Sequence, residues 1–171
     1  EVSPSAASVD ARKEADGSGS ADLQELARLL NERNEIGRSV TAVIGRPMLQ
    51  GHVGEYIASN IFDIKLCESA VTPGIDGHFR SGALAGRSVN VKFYPKLESI
   101  LDIKPEYLPH YYLVLTGPRS TAASSKGAVR PWIVRHVFLF DAAYLVQELK
   151  ERVKVGKATS VKRRYWNEAE I

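Results

Sequence analysis

Glu55, Asp76 and Lys92 are the residues of this chain whose types and settings could do chemistry together. Gly51-His52-Val53-Gly54-Glu55-Tyr56-Ile57-Ala58 reads as a helix carrying a carboxylate. Thr72-Pro73-Gly74-Ile75-Asp76-Gly77 reads as a turn that opens a strand bearing a second carboxylate. Arg87-Ser88-Val89-Asn90-Val91-Lys92-Phe93 reads as a strand with a lysine two residues after a polar amide. Two carboxylates able to hold Mg²⁺ or Mn²⁺, with an ammonium beside them, are the parts needed to hydrolyse a phosphodiester.

Each residue also has a plainer reading. Ile-Asp-Gly is common turn chemistry, because Asp bonds its own backbone and Gly accepts positive φ. A lysine inside an apolar strand often guards a sheet edge against aggregation. A glutamate on a helix is most often a solvated face residue. The chemical reading therefore depends on whether the elements bring the three together.

Residues 1–19, rich in Ser, Ala, Gly and Asp, show no apolar periodicity and read as a disordered tail or linker before a single domain over 20–171. Leu23, Leu26, Ala27, Leu29 and Leu30 predict an amphipathic helix from a Ser20 cap to Glu35, ended by Gly37. Val40–Ile44 adds a short helical stretch before Arg46-Pro47 breaks it. A third helix over 52–62 directs Val53, Tyr56, Ile57 and Ile61 inward, with Glu55 at the edge of that face.

A strand at 63–69 follows, then an antiparallel hairpin with arms 75–79 and 87–94. Alternation gives Asp76 and His78 one face of the first arm, and sets Asn90, Lys92 and Tyr94 opposite Val89, Val91 and Phe93 on the second. The hairpin can thus bring Asp76 near Asn90 and Lys92. The nearly continuous apolar run Tyr111–Thr116 predicts an internal strand, and Trp132–Phe140 another. Asp141 is a good cap for a helix to Arg152, and Ser160 for a last one holding Tyr165 and Trp166. The fold class is α/β, a central mixed sheet flanked by helices.

The order and spacing of Gly54-Glu55, Asp76 and Asn90-Val91-Lys92 resemble the PD-(D/E)XK, or restriction-endonuclease-like, nuclease superfamily. The motifs cover residues 50–95, and the later strand and helix are compatible in order. The resemblance implies a restriction-endonuclease-like sandwich that hydrolyses phosphodiesters, here in DNA, with Mg²⁺ or Mn²⁺. Glu55, Asp76, Asn90 and the Val91 carbonyl would hold the metal, and Lys92 would activate water. Asn90 departs from the pattern, which has Asp or Glu there. It removes one negative charge, so metal affinity should fall. An acid from a neighbouring element compensates in some members, and Glu68 and Glu98 are the candidates here, with Asp102 more remote. Without compensation the chain would be a nuclease fold that binds nucleic acid or a protein partner and does not cut.

The net charge of +3 and pI near 9.0 permit nucleic-acid binding without demanding it. Lys150, Arg152, Lys154, Lys157, Lys162, Arg163 and Arg164 crowd the last quarter, either as a solvated face or as a phosphate-tracking surface. Lys157, Lys162, Arg163 and Arg164, with Arg87 and Lys96, are the candidate phosphate contacts. His52, His78, His110 and His136 lack metal-ligand spacing, and only His78 shares a face with Asp76. A single cysteine, Cys67, excludes an internal disulfide and fits a reducing, cytoplasmic setting. No apolar run approaches the roughly 18 residues of a membrane span. Cutting both strands of a duplex would favour a homodimer.

Overall fold

The computed structural model describes residues 7–68, 73–119 and 130–171. The chain forms two compact units, Glu1–Met48 and Leu49–Ile171, where the sequence pattern divides it after residue 19. The first unit is carried by one helix, α1 (Ala7–Ile44). It runs straight through Gly37, which the sequence reading takes as a stop. A single glycine in a helix costs about 1 kcal/mol relative to alanine, too little to end a long helix. The stop comes at Gly45, in the left-handed conformation at φ 70°, followed by Pro47.

The second unit holds the sheet. Its elements are α2 (Gln50–Ile61), β1 (Ile64–Leu66), β2 (Gly77–Phe79), β3 (Ser88–Tyr94), β4 (Ile100–Leu101), β5 (Tyr111–Thr116), β6 (His136–Asp141), α3 (Ala142–Leu149), β7 (Thr159–Ser160) and α4 (Arg163–Ala169). Five strands form a mixed sheet in the order β1-β2-β3-β5-β6, with β3 and β5 parallel and the other neighbours antiparallel. β4 and β7 pair as a small separate sheet. The α/β class with a central mixed sheet is therefore the observed one, and the predicted hairpin is β2–β3.

Alternation along the strands sorts the side chains into two cores. Val89, Val91, Phe93, Leu113 and Leu115 pack with Ala58 of α2, Ile64 and Phe79 on one face. Tyr112, Val114, Phe138 and Phe140 pack on the other with Leu145 of α3 and Tyr165 and Trp166 of α4. Covered on both faces, β5 needs the unbroken apolar run that its sequence shows. Phe138 and Phe140 meet the Trp166 ring edge-on at centroid distances of 4.8 and 5.0 Å, which fixes α4 against β6.

Several predicted boundaries move: the strand expected at 63–69 is Ile64–Leu66, and the first hairpin arm begins at Gly77, not at residue 75. β6 begins at His136, not Trp132, because its partner β5 ends at Thr116 and the backbone ladder starts where the Arg135 N–H reaches the Thr116 carbonyl at 2.7 Å. Asp141 does cap α3, its Oδ1 accepting from the Tyr144 N–H at 2.9 Å, but that helix ends at Leu149. Ser160 lies in β7, and Lys162 takes the N-cap position of α4.

Gly54 sets how closely α2 approaches β3. A Cβ built there would stand 2.6 Å from the Phe93 Cβ, an atom tied to the strand backbone. Gly51, one turn earlier, has only the Glu55 Oε1 at 4.0 Å. The expected outcome in thermal unfolding is opposite in sign at the two positions. Gly51→Ala gains up to about 1 kcal/mol from helix propensity, whereas Gly54→Ala loses about 1–3 kcal/mol to overpacking.

Candidate active site

β2 is three residues long and β3 seven, so β3 outruns its neighbour. Gly77 pairs with Val89, and a Cβ at Gly77 would stand 2.5 Å from the Lys65 carbonyl oxygen, so only glycine fits between β1 and β3 here. One residue earlier, the Asp76 N–H donates to the Val89 carbonyl at 2.9 Å, and the Asp76 carbonyl accepts from the Cys67 N–H at 2.8 Å. Regular pairing of β2 with β3 stops there. Just before it, Gly74 turns the chain at φ 79° tight against the Tyr107 backbone.

Beyond that point side chains replace the missing strand. The Val91 N–H donates to Asp76 Oδ2 at 2.7 Å. The Phe93 carbonyl accepts from the Gln50 side-chain amide at the start of α2. The N–H and C=O of a strand residue point to the same edge, so the Val91 carbonyl is directed to the edge that Asp76 occupies. A carboxylate, a main-chain carbonyl and the N-terminal turn of α2 are thus gathered along one short open stretch of β3.

Lys92 lies on the opposite strand face from the Val91 and Phe93 side chains and is half-buried. Burial holds its ammonium below the ordinary lysine range. Against that act the negative charge of Asp76, then Asp102, and more weakly Glu55, while Lys104 adds to the lowering. Lys92, Asp76 and Glu55 therefore share one electrostatic neighbourhood. Gly54 places Glu55 by letting α2 touch β3 one residue before it.

Asn90 is buried, 6% exposed, and its Oδ1 has no hydrogen-bond partner. An unpaired buried carbonyl oxygen costs roughly 1–3 kcal/mol. The residue stands next to the Val89–Gly77 pair, where β2 gives out. Glu55, Asp76, Asn90 Oδ1 and the Val91 carbonyl, the candidate ligand set, are all oxygen donors. That suits a hard cation such as Mg²⁺, which binds through one or two carboxylates and keeps several waters. Among the described residues no group of three or more His, Cys, Asp or Glu side chains could hold a metal. The set is two carboxylates with neutral oxygens.

The other predicted residues separate. Glu98 pairs with Arg130 at 3.4 Å, and Glu68 is exposed beyond the end of β1. His78 is exposed and stands across from Ser88, on the strand face of Asn90 and Lys92 but four residues before Lys92 along β3. Arg87 also sits at the start of β3, where it lines a cleft with His110, Tyr111 and Asp141. There the Ser88 N–H donates to His110 Nδ1 at 3.1 Å, which leaves the ring proton on Nε2. Arg164 lies over the Tyr165 ring, 4.5 Å from its centroid, and pairs with Glu148 at 3.5 Å. Lys157, Lys162 and Arg163 are exposed, and Lys96 is half-buried just past β3.

Asp102, the more remote candidate in sequence, acts by its charge on Lys92. It follows β4 directly, its Oδ1 accepts from the Ala158 N–H at 2.7 Å, and its own N–H donates to the Tyr94 hydroxyl at 3.1 Å. Burial pushes the Tyr94 phenol well above the usual tyrosine range, so the hydroxyl stays protonated. The signal available in sequence was a carboxylate between Leu101 and Ile103, both almost fully buried.

No protein-family model matches this chain, and no curated protein matches it either.

Lys92 carries a consequence for stability. Its folded-state pKa lies below the unfolded one, so the folded state bears the whole cost of the buried ammonium at neutral pH. Stability rises as pH climbs through the folded value toward the unfolded one. Lys92→Met should therefore raise Tm at pH 7 by about 2–4 °C, the shift that about 1 kcal/mol gives a protein of this size. The gain should shrink as the pH is raised toward the unfolded-state value, which scanning calorimetry at several pH values would read.

Proposed function

We propose that the Leu49–Ile171 unit is a metal-dependent nuclease domain of the PD-(D/E)XK type, hydrolysing phosphodiester bonds in DNA. The observation that carries the reading is the open edge of β3, where Asp76 holds the Val91 N–H while its charge, with that of Glu55, acts on Lys92. Glu55, Asp76, Asn90 and the Val91 carbonyl would hold Mg²⁺ or Mn²⁺. A bound divalent cation would make water more acidic and offset the phosphate charge.

The chain's own groups do the rest. Lys92 presents a half-desolvated ammonium, which orients the attacking water and stabilises the negative charge that grows on the phosphoryl oxygens. Water oxygen bonds to phosphorus as the bond to the leaving sugar oxygen breaks, and that oxygen takes up a proton. Asp76 is held in place by the Val91 N–H, so its carboxylate needs no reorganisation as charge develops. Lys96 and Lys157 would supply positive charge for flanking phosphates. Cys67 remains a free thiol, in keeping with action in the cytoplasm. Two copies would be needed to cut both strands of a duplex, hence a homodimer in that case.

A second reading has its own observation. With Asn90 and only two carboxylates, the set is short of negative charge, and a domain that binds nucleic acid or a protein partner without cutting would tolerate this. Metal dependence separates the two. Wild type should cleave at least one member of a panel of duplex, single-stranded and branched DNA and RNA when Mg²⁺ or Mn²⁺ is present, and not in chelator. Asp76→Asn retains an acceptor for the Val91 N–H but loses the charge, and should reduce the rate at least about 100-fold. Silence of the wild type across the whole panel would favour the binding module.

A further inference from the structure

The helix that carries the Glu1–Met48 unit has an apolar stripe that lies open. Leu23, Leu26, Leu29, Leu30, Ile36 and Val43 of α1 are between 46% and 68% exposed. An amphipathic helix ordinarily turns such a stripe to a core. After Gly45 the chain returns and brings Met48 Sδ to 4.0 Å from where a Cβ on Gly37 would stand, which leaves Ile36 and Val43 exposed.

The spacing is that of a seam between helices. Leu29, Ile36 and Val43 recur every seven residues, and Leu26, Arg33 and Val40 each stand three residues before one of them. A repeat of 3.5 residues keeps one seam facing a partner helix along a left-handed supercoil. From Leu26 to Val43 the seam is about 26 Å long. Leu23 and Leu30 widen it on one side.

The charges choose the occupant. On the polar side Arg28 pairs with Glu25 at 2.7 Å and with Glu32, and Arg38 pairs with Glu35. Acids and bases nearly balance there, whereas a helix lying on an anionic lipid surface is rich in Lys and Arg on that side. Arg33 differs. It is exposed, stands in the seam, and among the described residues no carboxylate pairs with it. A single charge in a seam costs stability and selects a register.

A parallel, in-register copy of the same helix sets Leu26, Leu29, Ile36, Val40 and Val43 each on its own counterpart. It confines Arg33 to one layer. A residue just before a seam position flanks the same layer of the other helix, so each guanidinium can leave the seam toward Glu32 of the other copy. Gly37 stands across from that Glu32 and leaves it room. An antiparallel copy that sets Leu26 on Val43 and Leu29 on Val40 would place Arg33 on Ile36 twice, and so spoil two layers.

We propose that α1 is a self-association helix. It pairs, parallel and in register, with α1 of a second copy of this chain through the Leu26–Val43 seam, with Arg33 of each copy on Glu32 of the other. The pairing is independent of whether the Leu49–Ile171 unit cuts nucleic acid.

The test is sedimentation equilibrium of the full chain in chelator, without nucleic acid. The mass should rise with concentration from one copy to two and no further. Leu29→Glu should remain one copy throughout, with unchanged near-ultraviolet circular dichroism showing the core around Trp166 intact. Arg33→Glu sets like charges together at both symmetric contacts and should weaken association about 2- to 30-fold, and adding Glu32→Arg should restore it. Orientation has its own readout. With Cys67→Ser, Ile36→Cys should form a disulfide between copies on mild oxidation, because seam residues of a parallel pair face their counterparts. Asn31→Cys, on the opposite side of the helix, should not. One-copy mass at every concentration would overturn the proposal and give the stripe to a different partner. So would unweakened association of Leu29→Glu, no rescue by Glu32→Arg, or equal crosslinking at positions 31 and 36. Association as expected without cleavage on adding Mg²⁺ would remove the nuclease reading and leave this one standing, and cleavage by a one-copy protein would do the reverse.

Discussion

A strand that outruns its neighbour leaves main-chain donors and acceptors that must find partners, and this constraint organises the second unit. β2 stops at Gly77 and β3 continues to Tyr94. An unpaired strand edge is open to pairing with another chain, and proteins block it with charge or with covering segments. Here the blocking groups are Asp76, which accepts from the Val91 N–H, and Gln50, which donates to the Phe93 carbonyl. Both come from turns whose positions depend on glycines: Gly74 and Gly77 around Asp76, and Gly54 in the first turns of α2. The same groups that close the edge concentrate oxygen atoms and negative charge beside Lys92.

That concentration works against the stability of the fold. A half-buried ammonium and a buried amide oxygen with no partner each cost free energy that well-packed apolar groups would not. Elsewhere in the same unit the packing is economical, with Phe138, Phe140 and Trp166 meeting edge to face and β5 buried on both sides. Local departures of this kind, confined to one stretch of one strand, are where function is expected in a stable scaffold. The proposed chemistry supplies a reason for each of them, and Asn90 is the weakest member because it brings an oxygen without a charge.

Much of this was legible in the sequence. The hairpin arms, the internal strand Tyr111–Thr116 and the Asp141 cap all follow from local pattern, which the structure keeps. The pairing of Asp76 with the β3 edge was only partly legible. Alternation gave the face, but the stop at Gly77 depends on a contact with Lys65, a residue on a third strand. In sequence Asp102 stands as the more remote candidate, because the small β4–β7 sheet that positions it pairs Leu101 with Thr159 across a long separation. Trp132 reads as strand in the sequence because it begins an apolar run. The length of β5, a tertiary fact, decides that it lies outside the ladder. Gly37 shows the opposite error, a local signal overruled by the rest of a long helix.

Calorimetric titration of Mn²⁺ tests most directly whether the open edge of β3 acts as a divalent-cation site. Wild type should give a saturable heat, and Asp76→Asn, folded to the same degree by circular dichroism, should give none. The same weak, unsaturable heat from both proteins would contradict the account, whatever nucleic acid the domain then proved to bind.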